Sequence, residues 1–343
     1  MRPGSGRPAA SGPARPDRLL HLGNVVVDVV VEVPALPGRG GDVLADRAES
    51  AAGGGFNVMA AAARQGLPAA YAGAHGTGPF GTLARAALAA DGIAVIQPVK
   101  AGLDTGFVLA IVDGGGERTF VTSRGAEATL TAADLGRVRP AARDAVYLSG
   151  YSLVHDSNRA ALLGWLARLG GQPVFFDPGP LVRSIPAGAL AAVLGRTDWL
   201  TCNAREAAAL AGTGDPRAAA AALAGRSGPP GPERPYPARP NPERPGPERT
   251  RPLRVLVRIG PGGCLIGRPD AAVTHVPGFP VDAVDTNGAG DTHTGAFIAA
   301  LAAGAAETDA ARSANAAAAL SVTRRGPATA PTRAELARFL ARA

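Results

Sequence analysis

The chain has 343 residues, 46% of them apolar, enough to bury a large core as one big α/β domain or two smaller ones. A formal charge of +7 first suggests nucleic acid, but the excess sits in two Pro/Gly-rich segments: residues 1–18, with four Arg and one Asp, and residues 225–254, with seven Arg and three Glu. The remainder is charge-balanced, which argues against a nucleic-acid or membrane face, and Cys202 and Cys264 alone make neither a disulfide framework nor a cysteine metal site, so a reducing, cytoplasmic setting is expected.

Residues 19–33, "LLHLGNVVVDVVVEV", are rich in β-branched residues and read as one strand. Gly23, Asn24 and Asp28 interrupt them, and no small-residue cleavage site follows, so they do not read as a signal sequence. No stretch reaches the ~20 apolar residues of a membrane helix. A loop at 34–42 and a short strand at 43–50 come next. "GGGFNVMAAAARQG" (53–66) is a glycine-rich turn running into an alanine-rich helix closed by Gly66. A buried strand near 68–76 and a helix at 79–92 follow. Residues 106–112 and 118–123 flank "DGGGE" as a hairpin.

Strands at 144–149, 173–177 and 198–203 then alternate with helices at 157–170, 186–195 and 204–212. That alternation predicts a parallel sheet covered on both faces. The hairpin does not fit it and is assigned to a small accessory sheet, joined by 29–50. Residues 225–252 hold ten prolines in a loose P-E-R repeat and read as a disordered insertion. It enters the strand at 253–260 from its N-terminal end, whereas ligands of such sheets bind at the C-terminal ends.

"DTNGAGDTHTGAF" (285–297) carries the chemistry. Val281–Val284 reads as the end of a strand and Thr292 as the start of a helix, so the loop between them is a strand-to-helix turn. Main-chain N–H groups at Gly288, Ala289 and Gly290, with the helix dipole behind them, make a cradle for phosphate charge. Asp291 at the helix start either caps the helix or accepts a proton from an incoming hydroxyl.

The run "DTNGAGD" resembles, in all its fixed positions, the second signature of the ribokinase-like (PfkB) carbohydrate kinases. The resemblance extends over residues 19–342. It implies a three-layer α/β/α fold with a mostly parallel central sheet and a small β-sheet lid, built from about 29–50 and 104–125, within a kinase domain spanning 19–343. It makes Asp291 the catalytic base and Gly288, Ala289 and Gly290 the anion hole. "GNVVVD" matches the first-strand motif, with Asp28 on sugar hydroxyls. Residues 53–66 are similar to the first signature, giving Gly53, Gly54 and Asn57 to the substrate, although Ala52 replaces one of its usual glycines.

"NARE" (203–206) matches a motif tied to magnesium and phosphate, which gives Asn203 and Glu206 to the nucleotide and Glu206 indirectly to Mg²⁺. A polar helix start capped by Asn203 reads nearly as well. "RIGPGG" is similar to the nucleotide-binding turn, with Arg258, Gly260 and Gly263, and "ANAAAALSVTRRG" (314–326) to the helix over the adenine, with Asn315 near the base. Asp285, Asn287 and Val322 mark a possible potassium site, and His293 reads as a helix-face residue. The implied activity is ATP-dependent phosphorylation of a hydroxymethyl group on a sugar, with a homodimer formed through the lid. A nucleoside acceptor, a catalytically silent sugar-binding regulator, and an insertion that docks on an acidic partner are the alternatives. Val26 stands where ribokinases proper carry Asn, and "YLSGYSL" (147–153) where they carry a ribose-contacting glutamate. "GRGGD", "GERTF", "LSGY" and "APTRAEL" are closer to poorly characterised bacterial sugar kinases, so ribose is not implied.

Overall fold

The computed structural model describes residues 15–225 and 252–343. Of the basic tail at 1–18 and the insertion at 225–252, both expected to be disordered, residues 1–14 and 226–251 lie outside the described residues, while Arg18 already belongs to the first strand.

The apolar run at 19–33 is two strands in two sheets rather than one. β1 (Arg18–His21) lies in a nine-stranded sheet, and β2 (Val25–Glu32) opens a separate four-stranded one. Both pieces are apolar, so pattern alone could not divide them. Burial separates them: Leu19, Leu20 and Leu22 are fully buried, whereas β2 beyond Val27 is half-exposed. Gly23 is the joint. A Cβ there would fall 2.2 Å from the His21 ring, a space no side chain can share.

β3 (Arg47–Gly54) starts later than expected and carries the first two glycines of its signature into the sheet. α1 (Gly55–Arg64) begins directly after Gly54, whose φ of 61° only glycine adopts cheaply. β4 (Ala69–Tyr71), α2 (Pro79–Ala90) and the short β5 (Ala94–Val95) follow. The hairpin is β6 (Phe107–Val112) and β7 (Arg118–Ser123). With β2 and β3 it forms the small sheet, in the order β3-β2-β6-β7.

The chain then returns to the large sheet through α3 (Ala132–Leu135), β8 (Asp144–Ser149), α4 (Asp156–Leu166), β9 (Val174–Asp177), α5 (Ala187–Arg196), β10 (Trp199–Asn203) and α6 (Ala204–Ala211). α7 (Pro216–Ala224) precedes β11 (Arg254–Arg258). Two strands that the sequence reading lacked, β12 (Cys264–Gly267) and β13 (Thr274–Val276), add an antiparallel edge. Val281–Val284 is not a strand: Val284 N–H donates instead to the Val322 carbonyl at 2.7 Å. α8 (Ala289–Ala302) starts three residues before Thr292, α9 (Glu307–Val322) is longer than expected, and α10 (Arg333–Leu340) closes the chain.

The large sheet runs β13-β12-β11-β10-β9-β8-β1-β4-β5, and from β11 to β5 all neighbours are parallel. Alternate residues face opposite cores, as a period of two requires. Leu19, Tyr71, Tyr147, Phe175 and Leu256 pack toward α1, α8 and α9, while Leu20, Val146, Phe176, Leu200 and Val257 pack toward α4, α5 and α7. Sparse aromatics are made good by alanine and glycine, which let helices approach closely. At Gly295 of α8 a Cβ would lie 2.2 Å from the Val58 carbonyl of α1, so these helices meet backbone to backbone. Fold and composition agree.

Candidate active site

In an open sheet of parallel strands, ligands bind beyond the carboxyl ends, where the order of strands reverses. From β1 the chain goes to β4 and β5 on one side and to β8 through β11 on the other, so the reversal lies at β1. Beyond these strand ends sit Tyr151 after β8, Asp177 closing β9, Asn203 closing β10 and Arg258 closing β11. The small sheet supplies Asp28, and α1 and α8 supply Asn57 and Asp291.

The turn before α8 is shaped by its glycine. Gly288 takes φ 72° and is the N-cap of α8, with no side-chain capping bond. Asp291 is therefore the third helical residue and not the cap, so capping does not explain its carboxylate, although the first turn of a helix favours an acid. A hydrogen bond from Asn57 Nδ2 reaches its Oδ2 at 3.1 Å. The backbone contact of α1 and α8 at Gly295 is what brings these two side chains together. Burial pushes Asp291 up to about 7, helped by the negative charges of Asp177 and Asp28; the Asn57 bond and the Arg258 charge oppose the shift. A carboxylate so placed is suited to hold a proton near neutrality.

Asp28 faces the same space. It pairs in register with Ala51 and Val108 on its neighbouring strands, and a Cβ on Gly53 would lie 2.4 Å from its Oδ2. Gly53 is thus a place for a carboxylate to rest. Burial lifts Asp28 to about 6, and a side-chain donor, Asn287 Nδ2, stands at a long 3.5 Å. Asn57 Oδ1, beside Asp291, is buried with no hydrogen-bond partner among the described residues.

Arg258 is the charge counterweight. Its guanidinium donates to Asp177 Oδ2 at 2.9 Å and to Thr294 Oγ1 at 3.0 Å, with Glu206 at 3.8 Å. Burial opposes its charge, but the two carboxylates outweigh that and raise its pKa. A Cβ on Gly290 would sit 3.3 Å from Arg258 Nε, so the guanidinium rests against the glycine turn. Burial and Asp177 push Glu206 up to about 6. Asn203 and Glu206 also cap α6 reciprocally: Asn203 N–H donates to Glu206 at 2.8 Å, and Glu206 N–H to Asn203 at 2.9 Å. Capping and a position beside the site are compatible.

At the far end of the turn, Asp285 differs. Its Oδ1 accepts from Asn287 N–H at 2.8 Å and from Arg118 at 2.5 Å, and its Oδ2 accepts from Gly326 N–H at 3.0 Å. Burial works against its charge, yet these donors hold it below the usual carboxylate range. Val322 contributes a carbonyl that accepts from both Val284 and Asp285.

The nucleotide-side residues are close but not all exposed to a ligand. Gly260 and Gly263 have φ of 64° and 92°, and a Cβ on Gly263 would meet the Val276 carbonyl at 2.3 Å, so the 260–263 and 276–278 turns lie back to back. Asn315 is buried. Its Oδ1 accepts from His293 Nε2 at 2.9 Å, and its Nδ2 donates to the Val276 and Pro277 carbonyls at 3.0 and 2.9 Å. Its polar atoms tie α9 to the 276–277 turn. His293 is interior rather than on an open helix face, and burial and the Arg258 charge push it down to about 3, so it stays neutral.

Two groups were missed. Asp177 ends "PVFFD", and an acid at the carboxyl end of a parallel strand was the available signal. Tyr151 carries no local signal. It lies within electrostatic reach of Asp291, Asp177, Glu206 and Asp28, which add to burial in pushing its phenol up to about 12.

Comparison with known proteins agrees with this geometry. The family model "pfkB family carbohydrate kinase" matches residues 17–229 and 247–333. A sugar kinase of Escherichia coli K12 named YegV is 32% identical over 319 residues, covering 93% of this chain and 92% of its own. An ATP-dependent ribose-1-phosphate kinase of Halopiger xanaduensis is 30% identical, covering 94% and 98%. Among solved structures, ribokinase from Thermotoga maritima superposes with a TM-score of 0.75 at 25% identity, over 94% of this chain and 99% of that one. A putative ribokinase II from E. coli, solved with ATP and Mg²⁺, shares the fold at a TM-score of 0.76 and 23% identity, over 95% and 100%. The chain belongs to the pfkB family of carbohydrate kinases.

Proposed function

We propose that this kinase moves the γ-phosphoryl group of ATP to a hydroxymethyl oxygen of a sugar or sugar-like acceptor. The observation that carries the reading is the meeting of Asp28, Asn57 and Asp291 at the mouth of α8, beside the Gly288–Gly290 turn. Asp28 and the Asn57 side chain orient acceptor hydroxyls. Asp291 takes the proton as the new O–P bond forms and the bond to the departing ADP breaks. Main-chain N–H groups of the turn and the positive end of the helix stabilise charge on the migrating phosphoryl. Magnesium would enter with the phosphates and needs only one or two carboxylates, a demand that Glu206, through water, fits; bound there it would offset phosphate charge.

The nucleotide's base has room where a cavity opens between Pro277, Phe279 and Arg312, next to the 260–263 turn. The four-stranded sheet serves as a lid that keeps water, a competing acceptor, from the phosphoryl. Phe120 and Val121 on its edge strand β7 are more than half exposed, which supports contact with a second copy of the chain.

Asp291→Ala is the direct test. It is expected to lower kcat at least about a hundredfold while nucleotide binding survives; near-normal turnover would end the mechanism. A coupled ADP-release assay over free pentoses and hexoses, ribose 1-phosphate and nucleosides identifies the acceptor. Relatives named ribokinase and ribose-1-phosphate kinase support a sugar. Val26, buried and without a donor, gives no reason to single out ribose. Sugar binding without ADP release would favour a regulator.

A further inference from the structure

The turn at Asp285 was the expected seat of a potassium ion, and the residues present do not fit one. The Val322 carbonyl already accepts two main-chain bonds, at 2.7 and 3.0 Å. Both Asp285 oxygens are engaged by donors, and the Asn287 side chain turns toward Asp28. A monovalent cation would have to displace the Arg118 guanidinium, which brings the same unit charge and donates one hydrogen bond to Asp285 Oδ1.

Arg118 comes from β7 of the lid, across a cleft lined by Gly116–Arg118 on one side and Ala283–Thr286 on the other. Its side chain is 29% exposed and that of Asp285 17%, so solvent and salt screen the pair only in part. A second lid contact, Arg325 with Glu32 at 3.2 Å, is 61% and 37% exposed and contributes little. Among the described residues, the partly shielded Arg118–Asp285 contact is thus the ion pair between lid and turn.

We propose that Arg118 supplies the positive charge Asp285 requires, in place of potassium. The lid then orders the anion-binding turn, and phosphoryl transfer is indifferent to monovalent cations. The activity half of this claim rests on the kinase reading; the binding half does not.

The test uses the full chain in KCl, NaCl and tetramethylammonium chloride at matched ionic strength, following both kcat and thermal unfolding. Wild-type kcat is expected to stay within about twofold across the three salts, and Arg118→Met to lose at least about tenfold in tetramethylammonium and regain it in KCl. The Tm of the wild type should be the same in all three, while that of Arg118→Met should rise selectively with KCl. Arg118→Lys, which keeps the charge, should resemble the wild type. A wild-type gain above about twofold with KCl, or a KCl-selective rise in its Tm, would overturn the proposal. So would an Arg118→Met enzyme that is fast without potassium, or one that potassium does not restore. If no salt supports any ADP release, the kinase reading fails, and the Tm comparison still decides the cation question.

Discussion

The two ends of the turn before α8 carry the same side chain in opposite electrostatic settings. At one end Asp285 is met by two main-chain N–H groups and a guanidinium, and it holds its charge firmly. At the other, Asp291 is buried near Asp177 and Asp28, takes one hydrogen bond from an amide, and holds its charge reluctantly. Six residues apart, one carboxylate is a fixture and the other, on the proposed mechanism, a reagent. Environment assigns the roles.

The contrast can be broken most severely at Arg258. Arg258→Met leaves Asp177 and Glu206 buried without their cation, at an expected cost of about 3–5 kcal/mol in chemical unfolding. With the positive charge gone, the pH midpoint of kcat, expected near 7 from Asp291, should move to the alkaline side. An unmoved midpoint would separate Arg258 from Asp291.

Asp285→Ala attacks the other end. It strands the donors of Asn287, Gly326 and Arg118, an expected loss of about 1–3 kcal/mol. The stability that Asp285 contributes is present above the ordinary carboxylate range and lost as pH falls below it, because its folded pKa is depressed. The wild-type advantage over the variant should therefore shrink in acid. A difference independent of pH would mean that packing, not charge, is being measured.

Asp291→Asn should show the reverse sign. The Asp291 pKa is raised by folding, so the wild type is penalised as pH rises from about 4 to about 7. The inactive Asn variant should then melt a few degrees higher than the wild type at pH 8 and at the same temperature near pH 4. A variant less stable at pH 8 would contradict the assignment of the reluctant charge.

Much of this was legible in the sequence. The βα alternation from 144 to 212 announced the parallel sheet, because strand and helix periods differ and glycines punctuate them. The glycine turn and its two acids stood out because few other residues could bring main-chain N–H groups to an anion. What failed to show was relational. Nothing in "LLHLGNVVVD" says that the chain changes sheets at Gly23, since both halves are apolar, and "CLIG" and "THV" are too short to announce an antiparallel edge. Tyr151 and Asp177 join the site only because their strand ends face Asp291. Asn203 and Glu206 read equally as cap and ligand, and the structure shows why: a reciprocal cap holds the glutamate beside Arg258.

One further position shapes the chemistry without touching it. Gly295 lies a turn beyond Asp291, buried against α1. Were it to gain even a methyl group, the Val58 carbonyl would be in the way, the two helices would part, and Asn57 would be carried off from Asp291. The reach between the Asp291 carboxylate and the amide that meets it is thus gauged by an omitted atom at an inner seam. A screen confined to pocket-lining side chains would pass it by.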